Sequence, residues 1–290
     1  MIPNKRFLKQ PKNFWAQVKL LTQSLGYSKK DSILTYTIEE IVDSLEKNNL
    51  RTDHLYKVDK VTEAGQFLLD YFAYRAKALE SEAKQNLMDK EQAKQEFDKL
   101  YKLHKPKVKI PMNKQKGKKK HPAYFTGIVN ILTESTLGNL DFNLDPRTFV
   151  IMTRDRKPFY TLTRMVDGAY PSVINPLMVW EIKEYYNTTT FGSRVAGGVY
   201  ETILDGYELT EIKAVGNFDV KHYLVIDGYL TWWGMGKPYL CRMVDMLHED
   251  FLDEILFGKQ VLTRWPEILK SLPTTATKST IDDREHLLQS

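Results

Sequence analysis

The sequence predicts an α/β protein, a mixed β-sheet flanked by helices and preceded by an all-α unit. Three observations carry this. Apolar residues recur at helical spacing through the first hundred positions; the texture changes at Pro122 to short apolar runs bounded by turn residues; and the order from there reads helix, three strands, helix, strand, helix. The chain has 290 residues, 42% apolar and 27% charged, enough for a buried core in one large or two modest domains. With 15 Gly and 12 Pro it is neither collagen-like nor low-complexity. No run of 18 apolar residues exists for a membrane helix, so no membrane partner is expected. The opening MIPNKRFLKQPKNFW has charge but no apolar signal segment, and the single Cys241 offers neither an internal disulfide nor a thiolate pair for zinc. These features lead to the expectation of a cytoplasmic protein.

Taken in order, Phe14, Val18, Leu21 and Leu25 mark a first helix, and Thr37-Ile-Glu-Glu40 reads as a capping box before a second. Thr62-Glu63 starts a third, through Phe67, Leu68, Tyr71, Phe72 and Tyr74. The polar stretch from Ala76 to about Leu103 reads as one long exposed helix, a connector or an oligomerisation arm. Residues 1–110 are therefore expected to be a helical unit for DNA contact or dimerisation, 111–121 a basic linker, 122–272 the sheet domain and 273–290 a flexible tail. Within the sheet domain a helix from Tyr124 to Leu132 precedes strands at 148–152, 159–166 and 178–185. A helix follows over 193–209, then a strand over 222–226, and helices over 238–247 and 251–256. Trp232, Trp233 and Cys241 read as packed core, with a base-contacting role the alternative for the tryptophans.

Charge is distributed unevenly. The net excess is +5, yet the 35 residues from Lys99 to Thr133 hold ten lysines and no acid. Lys114, Lys116, Lys118, Lys119 and Lys120 stand in a segment with no apolar residue, a loop suited to contact phosphates through counterion release. A solvated linker is the alternative.

Common catalytic motifs are absent: no G-x-x-x-x-G-K-[ST], no G-x-G-x-x-G, no G-x-S-x-G and no H-E-x-x-H. Asp167 closes the second expected strand, and Glu181-Ile-Lys183 lies inside the third, where alternation puts Glu181 and Lys183 on one face. Acid-x-Lys occurs five times in the chain, but only this copy sits mid-strand among apolar residues after a strand-end acid. Two carboxylates can hold Mg²⁺ and leave positions for water and phosphate, and a lysine can orient or help deprotonate the water and add positive charge. The alternative is a surface strand carrying a cross-face ion pair.

The segment from Asp167 to Lys183 resembles the PD-(D/E)xK nuclease superfamily, the fold of many restriction endonucleases, repair nucleases and resolvases; the likeness in architecture covers roughly 122–258. The resemblance implies a restriction-endonuclease-like fold, Asp167 and Glu181 as Mg²⁺ ligands and Lys183 as the catalytic lysine. Val166 stands where the family often has proline. Members often add an acid from the helix before the first strand, which makes Glu134 a candidate third ligand; Glu201, in the helix after the catalytic strand, is a possible supporting acid. Thr189, Thr190, Ser193 and Arg194 follow the strand as candidate phosphate contacts.

The expectation is a Mg²⁺-dependent endonuclease, of type II-like restriction, that hydrolyses double-stranded DNA as a homodimer. A structure-specific repair or recombination nuclease of the same fold is the alternative among enzymes, and a non-catalytic nucleic-acid-binding protein the alternative outside them.

Overall fold

A computed structural model describes residues 1–113, 117, 120–186 and 191–273. The N-terminal unit contains α1 (Lys12–Leu25), α2 (Ile38–Glu46) and α3 (Glu63–Ala78), with two small hairpins, β1 (Ser28–Lys29) with β2 (Ser32–Ile33) and β3 (Tyr56–Lys57) with β4 (Lys60–Val61). The caps are those expected: Thr37 and Glu40 form the capping box of α2, and Thr62 accepts the Gly65 N–H at the start of α3. The hairpins mean the unit is mainly rather than wholly helical. Its core gathers Phe14, Trp15, Val18 and Leu21 of α1 with Ile41, Leu68, Tyr71 and Phe72.

The expected long exposed helix is instead broken and packed. A π-helical turn (Leu79–Ala83) and α4 (Lys84–Asn86) lead to a break before Asp89, which caps α5 (Lys90–His104). Leu79, Ala83, Leu87 and Met88 are buried, and Ala93 and Phe97 of α5 pack with Tyr124 and Phe125 of α6 (Tyr124–Leu137). Although 1–110 was the expected helical unit, α5 thus belongs by packing to the sheet domain. The expected linker does not span between units either. Its ends pair with each other, Asn113 N–H to the His121 carbonyl and Ala123 N–H to the Pro111 carbonyl, each at 2.9 Å. Lys114, Lys116, Lys118, Lys119 and nearly all of the 273–290 tail lie outside the described residues.

The remaining elements are β5 (Asn143–Leu144), β6 (Ile151–Arg154), β7 (Lys157–Thr161), β8 (Gly168–Tyr170), β9 (Met178–Glu184), α7 (Phe191–Gly216), β10 (Lys221–Asp227), α8 (Lys237–His248), β11 (Glu254–Phe257) and α9 (Val261–Ser271). The main sheet is mixed and five-stranded, ordered β11-β10-β9-β8-β5, with β9, β10 and β11 parallel and β8 antiparallel to β9. Three expectations change here. The first two expected strands, β6 and β7, form a separate hairpin. The helix expected at 251–256 is instead a turn leading into β11, whose short run is buried on both faces, a pattern that periodicity cannot tell from a helix. The terminal helix α9 was not expected.

The central strands are buried on both faces, as parallel strands between helix layers must be. On one face Trp180, Tyr223 and Val225 meet α6 and α9, with Trp180 edge-on to Trp265. On the other, Leu224 and Ile226 meet Val195 and Val199 of α7 and the apolar side of α8, where Trp232, Trp233 and Cys241 are also buried. Val179 packs beneath Leu209 and Ile212 of α7. By the period of two, Glu181 and Lys183 share this α7 face.

Candidate active site

Asp167 precedes β8 rather than ending the second expected strand, since β7 stops at Thr161. Its position is set by the sheet: its N–H donates to the Trp180 carbonyl at 3.2 Å, its carbonyl accepts from Asp145 N–H at 2.9 Å, and its Oδ2 accepts the Ile182 N–H at 2.7 Å. The next residue must be glycine, because a Cβ on Gly168 would sit 1.9 Å from the Trp180 ring. The absence of a side chain at Gly168 therefore lets β8 close on β9 over the Trp180 indole and brings Asp167 beside the E-x-K strand.

Glu181 and Lys183 are buried and paired, with Lys183 Nζ donating to Glu181 Oε2 at 2.8 Å. The alternative of a surface ion pair is excluded by this burial, which is tolerable only where partners compensate for lost water. Further partners come from α7 and from the segment before Asp167. Glu201 accepts from Lys183 Nζ at 2.8 Å, and a Cβ on Gly198 would lie 3.3 Å from Lys183 Cδ, so α7 crosses close over the lysine. Arg164 lies 3.0 Å from Glu181 Oε1 and 3.1 Å from Oε2, bonds Asp205 through Nη1, and comes within 3.5 Å of Glu201.

This charge cluster shifts its members. Burial and the nearby Glu181 charge push Asp167 up to about 6, and the same two causes push Asp205 up to about 7. Burial alone would raise Glu181, but Lys183 and Arg164 outweigh it and hold the carboxyl below its ordinary value. For Lys183 burial opposes the charge, yet Glu181, Asp167 and Glu201 outweigh it and raise the pKa, so the ammonium stays protonated.

Asp167, Glu181, Lys183 and Glu201 line a cavity of about 1300 Å³ that also takes in Lys109, Arg147, Arg164, Ser193 and Arg194. Its wall includes Ile110–Asn113 and His121, the paired ends of the basic segment. Ser193 and Arg194 are exposed there in the first turn of α7; Lys120 is exposed, and Thr189 and Thr190 lie outside the described residues. Glu134 is not brought to the site: its carboxylate accepts the Lys107 backbone N–H at 2.9 Å near the far end of α6. The acid beside the start of α6 is Glu184, which accepts from Thr126 N–H and Oγ1.

Among the described residues no group of three or more His, Cys, Asp or Glu side chains is arranged to hold a metal ion. Asp167 and Glu181 supply two hard oxygen donors, and Glu181 Oε1 is buried with no hydrogen bond, though it is ion-paired with Arg164 Nη1 at 3.0 Å. That set fits Mg²⁺, which commonly uses one or two carboxylates and keeps several waters. Arg164 and Asp205 escaped sequence reasoning. Asp205 left a signal, one helical turn after Glu201 in the helix that follows the E-x-K strand; an arginine in an irregular segment left none.

Among the described residues no helix is long and apolar enough to cross a membrane. No curated protein and no solved structure matches the chain. Two family models do: a domain of unknown function, DUF7690, over residues 1–82, and a domain of unknown function, DUF7687, over residues 88–272. The interval between them, residues 83–87, takes in α4 and reaches the start of the break before α5, and the second holds every residue of the site; spanning more than half of the sequence, it makes this chain a member of the DUF7687 family.

Proposed function

We propose that the protein is a Mg²⁺-dependent endonuclease of restriction-endonuclease-like fold that hydrolyses phosphodiester bonds in double-stranded DNA. The observation that carries this reading is the convergence of Asp167, Glu181 and Lys183 on one wall of a cavity whose rim holds Lys109, Arg147 and Arg194. Such a site is unusual for a structural ion pair, because the cavity exposes buried charges to a ligand.

Asp167 and Glu181 are the residues that would hold the metal, which when bound supplies an acidified water and neutralises charge on the phosphate. Lys183, kept protonated by three carboxylates, acts as a hydrogen-bond donor and fixed positive charge at the reacting phosphate, not as the base. Glu201 fixes the direction of that ammonium through the 2.8 Å bond. Ser193, Arg194 and Lys109 contact neighbouring phosphates, and the basic segment, whose ends lie on the cavity wall, extends the contact along the backbone. Two-fold symmetric DNA sites favour a homodimer acting in the cytoplasm.

The test is incubation of purified protein with unmodified plasmid DNA in Mg²⁺ or EDTA, beside Lys183→Ala and Glu181→Ala. Discrete Mg²⁺-dependent fragments, lost in both variants while each keeps its circular-dichroism spectrum, are expected. Full activity in either folded variant sinks the assignment. Cleavage confined to flaps, junctions or ends would redirect it to a repair nuclease.

A further inference from the structure

The site contains its own organic cation, and its placement bears on how many metal ions the site takes. Arg164 is joined to Glu181, Glu201 and Asp205, with both guanidinium Nη atoms engaged: Nη1 at 3.0 Å from Glu181 Oε1 and bonded to Asp205, Nη2 at 3.1 Å from Glu181 Oε2 and 3.5 Å from Glu201. Glu181 and Glu201 line the cavity, and Asp205 stands one helical turn beyond Glu201 on α7. The side chain is only 21% exposed, and the backbone beneath it is tied down. Thr163 donates its N–H to Glu208 at 3.1 Å and its hydroxyl to the same carboxylate at 3.2 Å. Glu201, Asp205 and Glu208 follow one another at helical spacing on α7, so a single helix face holds both the arginine and its neighbour.

A second ion beside Glu181 would lie against a guanidinium that has no proton to lose.

We propose, resting on the nuclease reading above, that Arg164 is a positioning residue that occupies the second cation position of the site, so that each chain binds one divalent ion, between Asp167 and Glu181. The guanidinium holds Glu181 in one orientation, and Asp205 anchors the guanidinium.

The experiment is titration of full-length protein with Mn²⁺ in the absence of DNA, followed by calorimetry and by the electron paramagnetic resonance signal of free Mn²⁺. The wild type takes up one Mn²⁺ per chain; Arg164→Gln, which removes the guanidinium from Glu181 and Asp205 while Glu201 keeps Lys183, takes up two; Arg164→Lys, which keeps a charge there, takes up one. A wild type that binds two, or a folded Arg164→Gln chain that still binds one, overturns the proposal. If Arg164→Gln does not fold, the wild-type stoichiometry alone decides. A wild type that binds no Mn²⁺ refutes the metal site itself, a result distinct from binding two.

Discussion

Glu201 of α7 reaches Lys183 of β9 at 2.8 Å, joining the helix that covers the site to the lysine of the E-x-K strand. Glu181 pairs with the same ammonium from the strand itself, so Lys183 is held from two sides. Glu201 is half-exposed, and water screens much of its charge. On the proposed nuclease reading, Glu201→Gln is therefore expected to lower the single-turnover rate of plasmid cleavage by roughly 10-fold, worth about 1.4 kcal/mol. Lys183→Ala, which removes the donor, costs roughly 10²-fold or more. Equal losses in the two variants would show that Glu201 does more than orient the lysine.

A second buried pair joins the two family segments. Arg75 of α3 lies 3.1 Å from both carboxylate oxygens of Asp245 on α8, which also accepts the Tyr71 hydroxyl. Arg75→Met leaves that carboxylate buried with one neutral donor and destabilises the protein by about 3–5 kcal/mol in urea unfolding. The double variant Arg75→Met with Asp245→Leu recovers most of the loss, because no unpaired charge stays buried. No recovery would mean that the pair is required for packing the two units together.

Asp227 at the end of β10 accepts from Met88 N–H and the Tyr186 hydroxyl, yet burial pushes its pKa up to about 8 against these bonds. In the unfolded chain the value is about 3.9. The native state therefore holds the proton more tightly; the stability this provides is complete below about pH 4, falls as pH rises toward 8, and levels off beyond. Asp227→Asn mimics the protonated form and is expected to flatten this slope in thermal unfolding from pH 5 to 9. At pH 9 it should exceed the wild type by on the order of 2 kcal/mol. A wild type with no loss of stability across that range argues against a protonated Asp227.

Gly168→Ala forces a methyl into the Trp180 ring, 1.9 Å from its nearest atom. Overpacking of this kind costs about 1–3 kcal/mol or more, and here it also pushes Asp167 away from β9. Melting temperature and Mn²⁺ affinity should fall together. An unchanged melting temperature would show that the indole can turn aside.

Replacement of Lys114, Lys116, Lys118, Lys119 and Lys120 by Gln tests the basic segment. If all five meet phosphates, the slope of log K for DNA against log salt becomes shallower by about 4.5. Fluorescence anisotropy from 50 to 300 mM salt measures it, and an unchanged slope makes the segment a solvated loop.

The local features were legible in the sequence because their causes are local. Thr37 with Glu40 and Thr62 mark helix starts through hydrogen bonds within four residues, and the alternation of β9 puts Glu181 and Lys183 on one face whatever surrounds them. The long polar stretch misled because Leu79, Leu87 and Met88 are buried by elements distant in the chain, and a short apolar run such as β11 has no period that distinguishes strand from helix. Glu134, plausible by order along the chain, is carried away from the cavity by the length of α6, while Glu184 is brought to the start of that helix. Sequence alone therefore determined the pair Glu181 and Lys183, their shared face and the mixed α/β composition. Tertiary structure decided which charges join them: Arg164 reaches Glu181, Glu201 reaches Lys183 and Asp205 holds the Arg164 guanidinium because α7 crosses the sheet there, contacts set by packing between separate elements.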